Sequence, residues 1–296
     1  MLRRLIARLQ KEKDKVTAPK PSRRELLLSL LDTAGRGLEI GASFNPLLPK
    51  KDGYNVEVLD HLSAAELVKK YASAGSVDTS RIEEVDYVSH GASLFEAIGE
   101  EGRFDYIVAS HVIEHTVDLL GFLQDCQRLL RPRGVVVLAV PDKRFSFDVL
   151  RPLTSTGDVL QRHLDKQPRH SLGALFDEVA YNSLRGGALS WAPTSRDPLA
   201  FVCELQAAKS IFEEAQHDGV FRDIHAWQFT PSSFRLLVND LHEIGYLGLR
   251  EQAFHDDLGS EFVISLSRQG EGPKRSRLSL AESALAENAW MKTRNN

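Results

Sequence analysis

Residues Gly37 to Pro46 read GLEIGASFNP, and nineteen positions after Gly41 a second apolar run ends in Asp60. An apolar strand that delivers the chain to a glycine turn, followed by a second strand closing on a carboxylate, points to a doubly wound α/β sheet gripping an adenosine-type ligand. Glycine lets the backbone approach the ligand, and the carboxylate accepts hydrogen bonds from ribose hydroxyls. Taken alone, the pair admits dinucleotides as well.

The following segments keep the rhythm of such a sheet. Leucines at helical spacing over Ser22 to Asp32 predict a helix, and Gly35 and Gly37 release a strand at Leu38 to Ile40. Ser63 and Glu66 form a capping-box pattern that opens a helix through about Ala74. Strands follow at Ile82 to Val88 and Phe104 to Ala109, then a helix carrying Leu119, Leu120, Leu129 and Leu130. Pro132 and Gly134 end that helix, and Val135 to Val140 is the fifth strand.

Between Arg144 and His225 the pattern is helical and no strand is predicted. One helix is capped by Ser155 or Thr156 and runs to about His163, and a second covers Leu172 to Tyr181. Gly186 to Pro198 reads as loop, and Leu199 to Ala215 as helix. Thr230 and Pro231 then open a helix whose buried face is Phe234, Leu237, Leu241 and Ile244. Two closing strands lie near Leu247 to Arg250 and Phe262 to Leu266. The expected architecture is α/β: a doubly wound, mostly parallel seven-stranded sheet with a helical insertion after strand 5. The insertion lies beside the carboxyl edge, where such sheets bind ligands. The expected organisation is a basic leader and linker over 1–21, a cofactor-binding domain over 22–268 with a helical cap at 145–228, and a tail over 269–296. The tail has one weakly helical stretch, Ser279 to Met291, with no assignable role.

A formal net charge of −4 gives no global attraction to nucleic acid, and none is expected as a partner. Cys126 and Cys203 lack metal or redox spacing and read as reduced thiols of a cytoplasmic protein. The apolar run Val135 to Val140 is far too short to span a bilayer. Leu2, Leu5, Ile6 and Leu9 share one helical face, ringed by Arg3, Arg4, Arg8, Lys11 and Lys13. Arginine interrupts what would be the apolar centre of a signal peptide, which leaves either a loose leader or a helix that docks a partner or makes peripheral contact with the inner membrane surface.

The set EIGASFNP, LDH at Leu59 to His61, VDY at Val85 to Tyr87, FDYIVASHVIEH at Phe104 to His115 and LRPRGVVVLAVPD at Leu130 to Asp142 resembles the class I S-adenosylmethionine-dependent methyltransferases of the small-molecule kind. The resemblance covers Leu38 to Asp142, with echoes at His225 to Phe234 and in the last two strands. It implies a Rossmann-like methyltransferase fold with S-adenosyl-L-methionine as cofactor. Glu39 and Gly41 would then line the methionine part, Glu39 helping to hold its ammonium, and Asp60 would bind both ribose hydroxyls with His61 beside the adenine. Asp86 would meet the adenine amino group, Tyr87 the ring, and Ser110 and His111 would close over the cofactor. Ser43 and Asn45 stand in the cofactor loop where second and third glycines are usual. With Pro46 and Pro49 they leave little room for the helix whose positive end a pyrophosphate wants, which argues against NAD or FAD.

Methyl transfer to a hydroxyl needs a base, and His225 is the first candidate and Asp142 the second. His111, Glu114 and His115 spell H-x-x-E-H, a zinc-protease pattern that needs both histidines on one helix face. Here His111 follows directly from a strand, so no metal is expected, and Glu114 and His115 read as structural. Trp227 and Phe229 fit a pocket border or an aromatic plug equally well, and Lys143 and Arg144 either face an anionic substrate or form a solvated turn. The expected acceptor is a small molecule or a glycan or glycolipid precursor, methylated in line, at oxygen. Two other classes stay open: a cofactor-binding interaction module without catalysis, and a nicotinamide oxidoreductase.

Overall fold

The computed structural model describes residues 21–72, 77–89, 93–256 and 258–289, so the leader expected at 1–21 lies almost wholly outside it. Helix α1 (Arg23–Ser29) opens under a capping box in which Ser22 and Glu25 exchange side-chain bonds with each other's backbone N–H. Strands β1 (Gly37–Ile40) and β2 (Val56–Asp60) follow, then α2 (Ala64–Tyr71), β3 (Tyr87–Val88), α3 (Leu94–Ile98), β4 (Phe104–Ser110), α4 (Leu119–Leu129) and β5 (Leu130–Pro141). The insertion carries α5 (Thr156–Asp165), α6 (Leu172–Tyr181), a hairpin of β6 (Ser183–Arg185) and β7 (Leu199–Phe201), and α7 (Leu205–Asp218). The chain then returns to the sheet through α8 (Pro231–Glu243), β8 (Arg250–His255), β9 (Glu261–Ser267) and α9 (Arg277–Ala289).

The seven strands lie in the order β3-β2-β1-β4-β5-β9-β8, with β9 antiparallel to both its neighbours. The register sets Ile40 level with both Leu59 and Ala109, so Gly41, Asp60 and Ser110 leave the sheet side by side at its carboxyl edge. That edge, where the strand order reverses between β1 and β4, is the binding crevice of doubly wound sheets. From residue 134 to 141 strand β5 is buried on both faces, as its unbroken apolar run requires. Val136, Leu138 and Val140 enter one core cluster with Phe262, while Val135, Val137 and Ala139 enter the other with Val263. Gly37 answers to close packing: a Cβ there would lie 2.0 Å from the Tyr106 ring.

Several segments differ from expectation, among them the eighth strand, which runs Arg250–His255, and Ile244, which is exposed at the end of α8. The third strand shrinks to two residues, and the chain ahead of it is tied to its neighbours largely through side chains. Glu83 accepts from the backbone N–H groups of Lys50 and Lys51, and Asp86 accepts from that of Val58. The β6–β7 hairpin appears where only loop and helix were expected, its three-residue strands being too short to show a period. The final stretch is a helix fixed to the domain. Arg277 donates to Asp240, Glu287 accepts from the N–H and hydroxyl of Ser232, and Asn288 accepts from Lys143.

Candidate functional site

The loop after β1 turns at Gly41 with φ +69°, and a Cβ there would lie 2.7 Å from the Val112 side chain. Only glycine suits both conditions. Ser43 follows with φ +50°, its backbone N–H donating to Asp60 Oδ2 at 3.1 Å and its hydroxyl buried without a hydrogen-bond partner. Asn45 is exposed, and its N–H closes a turn onto the Ala42 carbonyl. Asp60 is 2 % exposed at the end of β2, and its Oδ1 takes both the N–H and Nδ1 of His61, at 2.7 and 2.6 Å. The His61 ring is otherwise open, its Nε2 lying 3.0 Å from Lys70 Nζ.

Glu39 has a task that spacing alone does not reveal. Its two oxygens accept from the N–H groups of Leu47 and Leu48 at 2.6 and 3.0 Å, inside the protein. Burial pushes its carboxyl above the ordinary carboxylate range, against the pull of those two bonds. Both Glu39 oxygens are thus engaged in shaping the loop after β1. Glu39→Ala is expected to lower stability by about 1–3 kcal/mol for each orphaned N–H. Chemical denaturation measures this loss.

Asp86 Oδ2 is held by Val58 N–H and Lys50 Nζ, at 2.6 and 2.5 Å. Tyr87 is turned back along the sheet instead of toward the edge. Its hydroxyl donates to Glu57 at 2.6 Å, and burial with that carboxylate pushes it up to about 12. Ser110 and His111 do reach the carboxyl edge, where two residues without sequence signal hold them. Arg23 of α1 donates to Ser110 Oγ at 2.6 Å and to Glu261, and His111 Nε2 lies 2.8 Å from Glu261. His111 itself sits at φ +54°.

These groups fit S-adenosylmethionine better than a dinucleotide. A buried carboxylate stands beside an orphaned hydroxyl where a ribose would lie. Residues 42–49 form turns and no helix, so no helix N-terminus awaits a pyrophosphate.

The second candidate base is buried and already paired. Asp142 is 2 % exposed and both its oxygens are held by Arg144, with Nε at 2.9 and 3.0 Å. A carboxylate chelated in this way is a structural anchor and is not free to take a substrate proton. The basic pair beside it is likewise occupied, since Lys143 is buried and donates to the Val149 carbonyl. Trp227 and Phe229 form a plug: both belong to the main core, and Trp227 Nε1 donates to the Thr116 carbonyl at 2.6 Å.

His225 lies at the end of the insertion, beside the turn that follows β4. Its Nδ1 is 2.6 Å from Asp148, its N–H donates to Glu178 of α6 at 2.6 Å, and its ring meets His115 edge-on at 4.5 Å. Arg151, fully enclosed, bridges Asp148 and Glu178 at 2.8 and 3.3 Å. Burial alone would raise the Asp148 carboxyl, yet His225 and Arg151 hold it below the usual range. Glu178, by contrast, is pushed up by burial. His115 Nδ1 pairs with Asp223 at 2.8 Å, and that bond with the Glu114 charge outweighs burial and raises its pKa. Asp148, Glu178 and Asp223 were missed by sequence reasoning, because single carboxylates in an insertion carry no spacing signal.

A methyltransferase domain family matches residues 4–184 of the chain. The ubiquinone biosynthesis O-methyltransferase of Pasteurella multocida is 30% identical over 89 residues, covering 29% of this chain and 37% of that protein. Its counterpart in Parvibaculum lavamentivorans is 35% identical over 89 residues, covering 28% and 34%. The chain thus spans about a third of the length of these curated relatives. Among solved structures, the CcbJ methyltransferase of Streptomyces caelestis is similar with a TM-score of 0.43 at 15% identity, over 85% of this chain and 91% of that one. A S-adenosylmethionine-dependent methyltransferase of Aquifex aeolicus gives 0.39 at 13%, over 86% and 95%. With more than half its length matched, and with the strand order and the carboxylate-lined edge described above, this chain belongs to the class I S-adenosylmethionine-dependent methyltransferase-domain family.

Proposed function

We propose that the protein transfers a methyl group from S-adenosylmethionine to an oxygen of a small-molecule acceptor. The observation that carries this reading is the convergence at the end of β4. Ser110 and His111 lie there beside the Gly41–Asp60 crevice, and four residues on, Glu114 and His115 meet the buried His225–Asp148 pair. The sulfonium of the cofactor supplies an activated methyl group with a good leaving group, so alignment and exclusion of water are the protein's main contributions. Asp60 and the Ser43 hydroxyl are assigned to the ribose, Asp86 to the adenine side. His225 is assigned to the acceptor's proton, with Asp148 fixing its ring.

The acceptor class is read from the insertion. A cavity of about 350 Å³ is lined by Arg162, Asp165, Arg169 and His170 together with Leu172 and Ile224, and Ile224 precedes His225 in the chain. Burial and the Arg162 charge press the His170 pKa down to about 4, so its ring is neutral near pH 7. A lining in which guanidinium groups outnumber the one carboxylate and aliphatic side chains stand among them suits an amphipathic acceptor that carries negative charge, of the size such cavities take. The names of the two curated relatives, O-methyltransferases of ubiquinone biosynthesis, agree with oxygen as the receiving atom. No helix among the described residues is long and apolar enough to cross a membrane.

Two measurements test the proposal. Calorimetric titration is expected to show binding of S-adenosylmethionine and none of NAD(H); binding of NAD(H) alone would reassign the crevice. Radiolabelled methyl transfer into fractionated extract is expected to label a small acidic acceptor. Tight cofactor binding with no labelled acceptor in any fraction would instead favour a non-catalytic interaction module.

A further inference from the structure

Glu114 is the most anomalous side chain in the domain. It is 1 % exposed, and neither carboxylate oxygen has a hydrogen-bond partner. A buried carboxylate without partners is costly, and in native proteins such a group calls for a ligand or an ion. Two imidazoles face it: His115 Nε2 stands 3.9 Å and His225 Nε2 4.0 Å from Glu114 Oε1. All three ligand atoms lie within 4.8 Å of one another.

The other nitrogen of each ring is already committed. His115 Nδ1 meets Asp223 at 2.8 Å and His225 Nδ1 meets Asp148 at 2.6 Å. A carboxylate accepting from Nδ1–H fixes the tautomer in which Nε2 keeps its lone pair, the arrangement found behind metal-bound histidines. Both Nε2 lone pairs are therefore left for the space beside Glu114.

We propose that Glu114, His115 and His225 bind a first-row divalent cation of the zinc class, with Asp223 and Asp148 as its outer carboxylates. Two imidazoles and one carboxylate form a borderline-soft set that suits zinc over magnesium or calcium, and three protein ligands leave one position open. Bonds of about 2.0–2.1 Å to a tetrahedral ion set neighbouring ligand atoms about 3.3 Å apart, so the side chains close by roughly half an ångström or more each. The H-x-x-E-H letters do not form this site. His111 stays 3.7 Å from Glu114 through Nδ1 and gives its Nε2 to Glu261, and the third ligand arrives from the far end of the insertion. The backbone already holds the two segments together, since the Glu114 carbonyl accepts from the N–H groups of Ala226 and Trp227. An ion here would clamp the returning insertion to the end of β4. The two assignments of His225 exclude each other: with the ion in place its Nε2 is a ligand, and only in the ion-free protein can it take the acceptor's proton.

The test reads metal binding directly and is separate from methyl transfer: without binding the methyl-transfer reading stands as given, whereas one bound ion per chain takes His225 Nε2 and withdraws that ring as the base. Chelator-treated full-length protein is titrated with Zn²⁺ by calorimetry and with Co²⁺ by its visible absorption. One ion per chain is expected, with a Co²⁺ spectrum of low coordination number. Glu114→Gln is expected to weaken binding at least tenfold. Asp223→Asn, at a half-exposed position where folding is not at risk, is expected to weaken it about 10–100-fold. Absence of stoichiometric binding would overturn the proposal, leaving Glu114 as the counter-charge of its histidines. So would full affinity in Asp223→Asn, or in a folded Glu114→Gln.

Discussion

Asp60→Ala is expected to weaken S-adenosylmethionine binding by about 10- to 100-fold, the loss of one or two hydrogen bonds to a charged acceptor. The physical reason is position as much as charge. Asp60 ends β2 level with the Gly41 turn, sits almost out of solvent, and has its oxygens aligned by Ser43 N–H and by His61. A carboxylate so fixed accepts the ribose hydroxyls with little reorganisation. Alanine also removes the anchor of Ser43, so Asp60→Asn serves as a companion: it keeps the shape and loses the charge. Calorimetry with each variant decides the matter. An unchanged dissociation constant in both would remove the ribose from this crevice.

The second large effect is expected at His225. His225→Asn should bind the cofactor as the unaltered protein does and lose about 10²- to 10⁴-fold in kcat, the range for a missing general base. The dyad geometry supports this, with Nδ1 tied to a carboxylate that His225 and Arg151 keep ionised. Asp148→Asn should show a smaller fall, since it removes the ring's orientation and leaves Nε2 present. Equal turnover in His225→Asn would assign the acceptor a group that needs no base, such as a carboxylate or an amine. Comparison at saturating cofactor separates a loss in kcat from one in KM.

The two predictions draw on different kinds of information. Asp60 was legible because the strand–turn–strand spacing places it, whatever else the protein contains. His225 was legible only as a residue near a capped helix. Its partners Asp148 and Glu178, 77 and 47 positions away, have no local signature. The same distinction explains Asp142. Its place after β5 suggested a role at the ligand edge, but a guanidinium two residues on closes both its oxygens. Trp227 and Phe229 could border a pocket or fill a core by type alone, and burial decided for the core.

By itself the sequence determined the layered α/β sheet, the Gly41 turn, the Asp60 carboxylate and an insertion after the fifth strand. These follow from periodicity, glycine placement and strand ends, all local properties of the chain. Tertiary structure decided the rest. It committed Glu39 to the loop, turned Tyr87 to Glu57, bound Ser110 and His111 to Arg23 and Glu261, and brought His115 and His225 up to the buried Glu114 carboxylate. Such contacts join residues far apart in the chain. They depend on which side chains folding brings together, and no spacing within a motif records that.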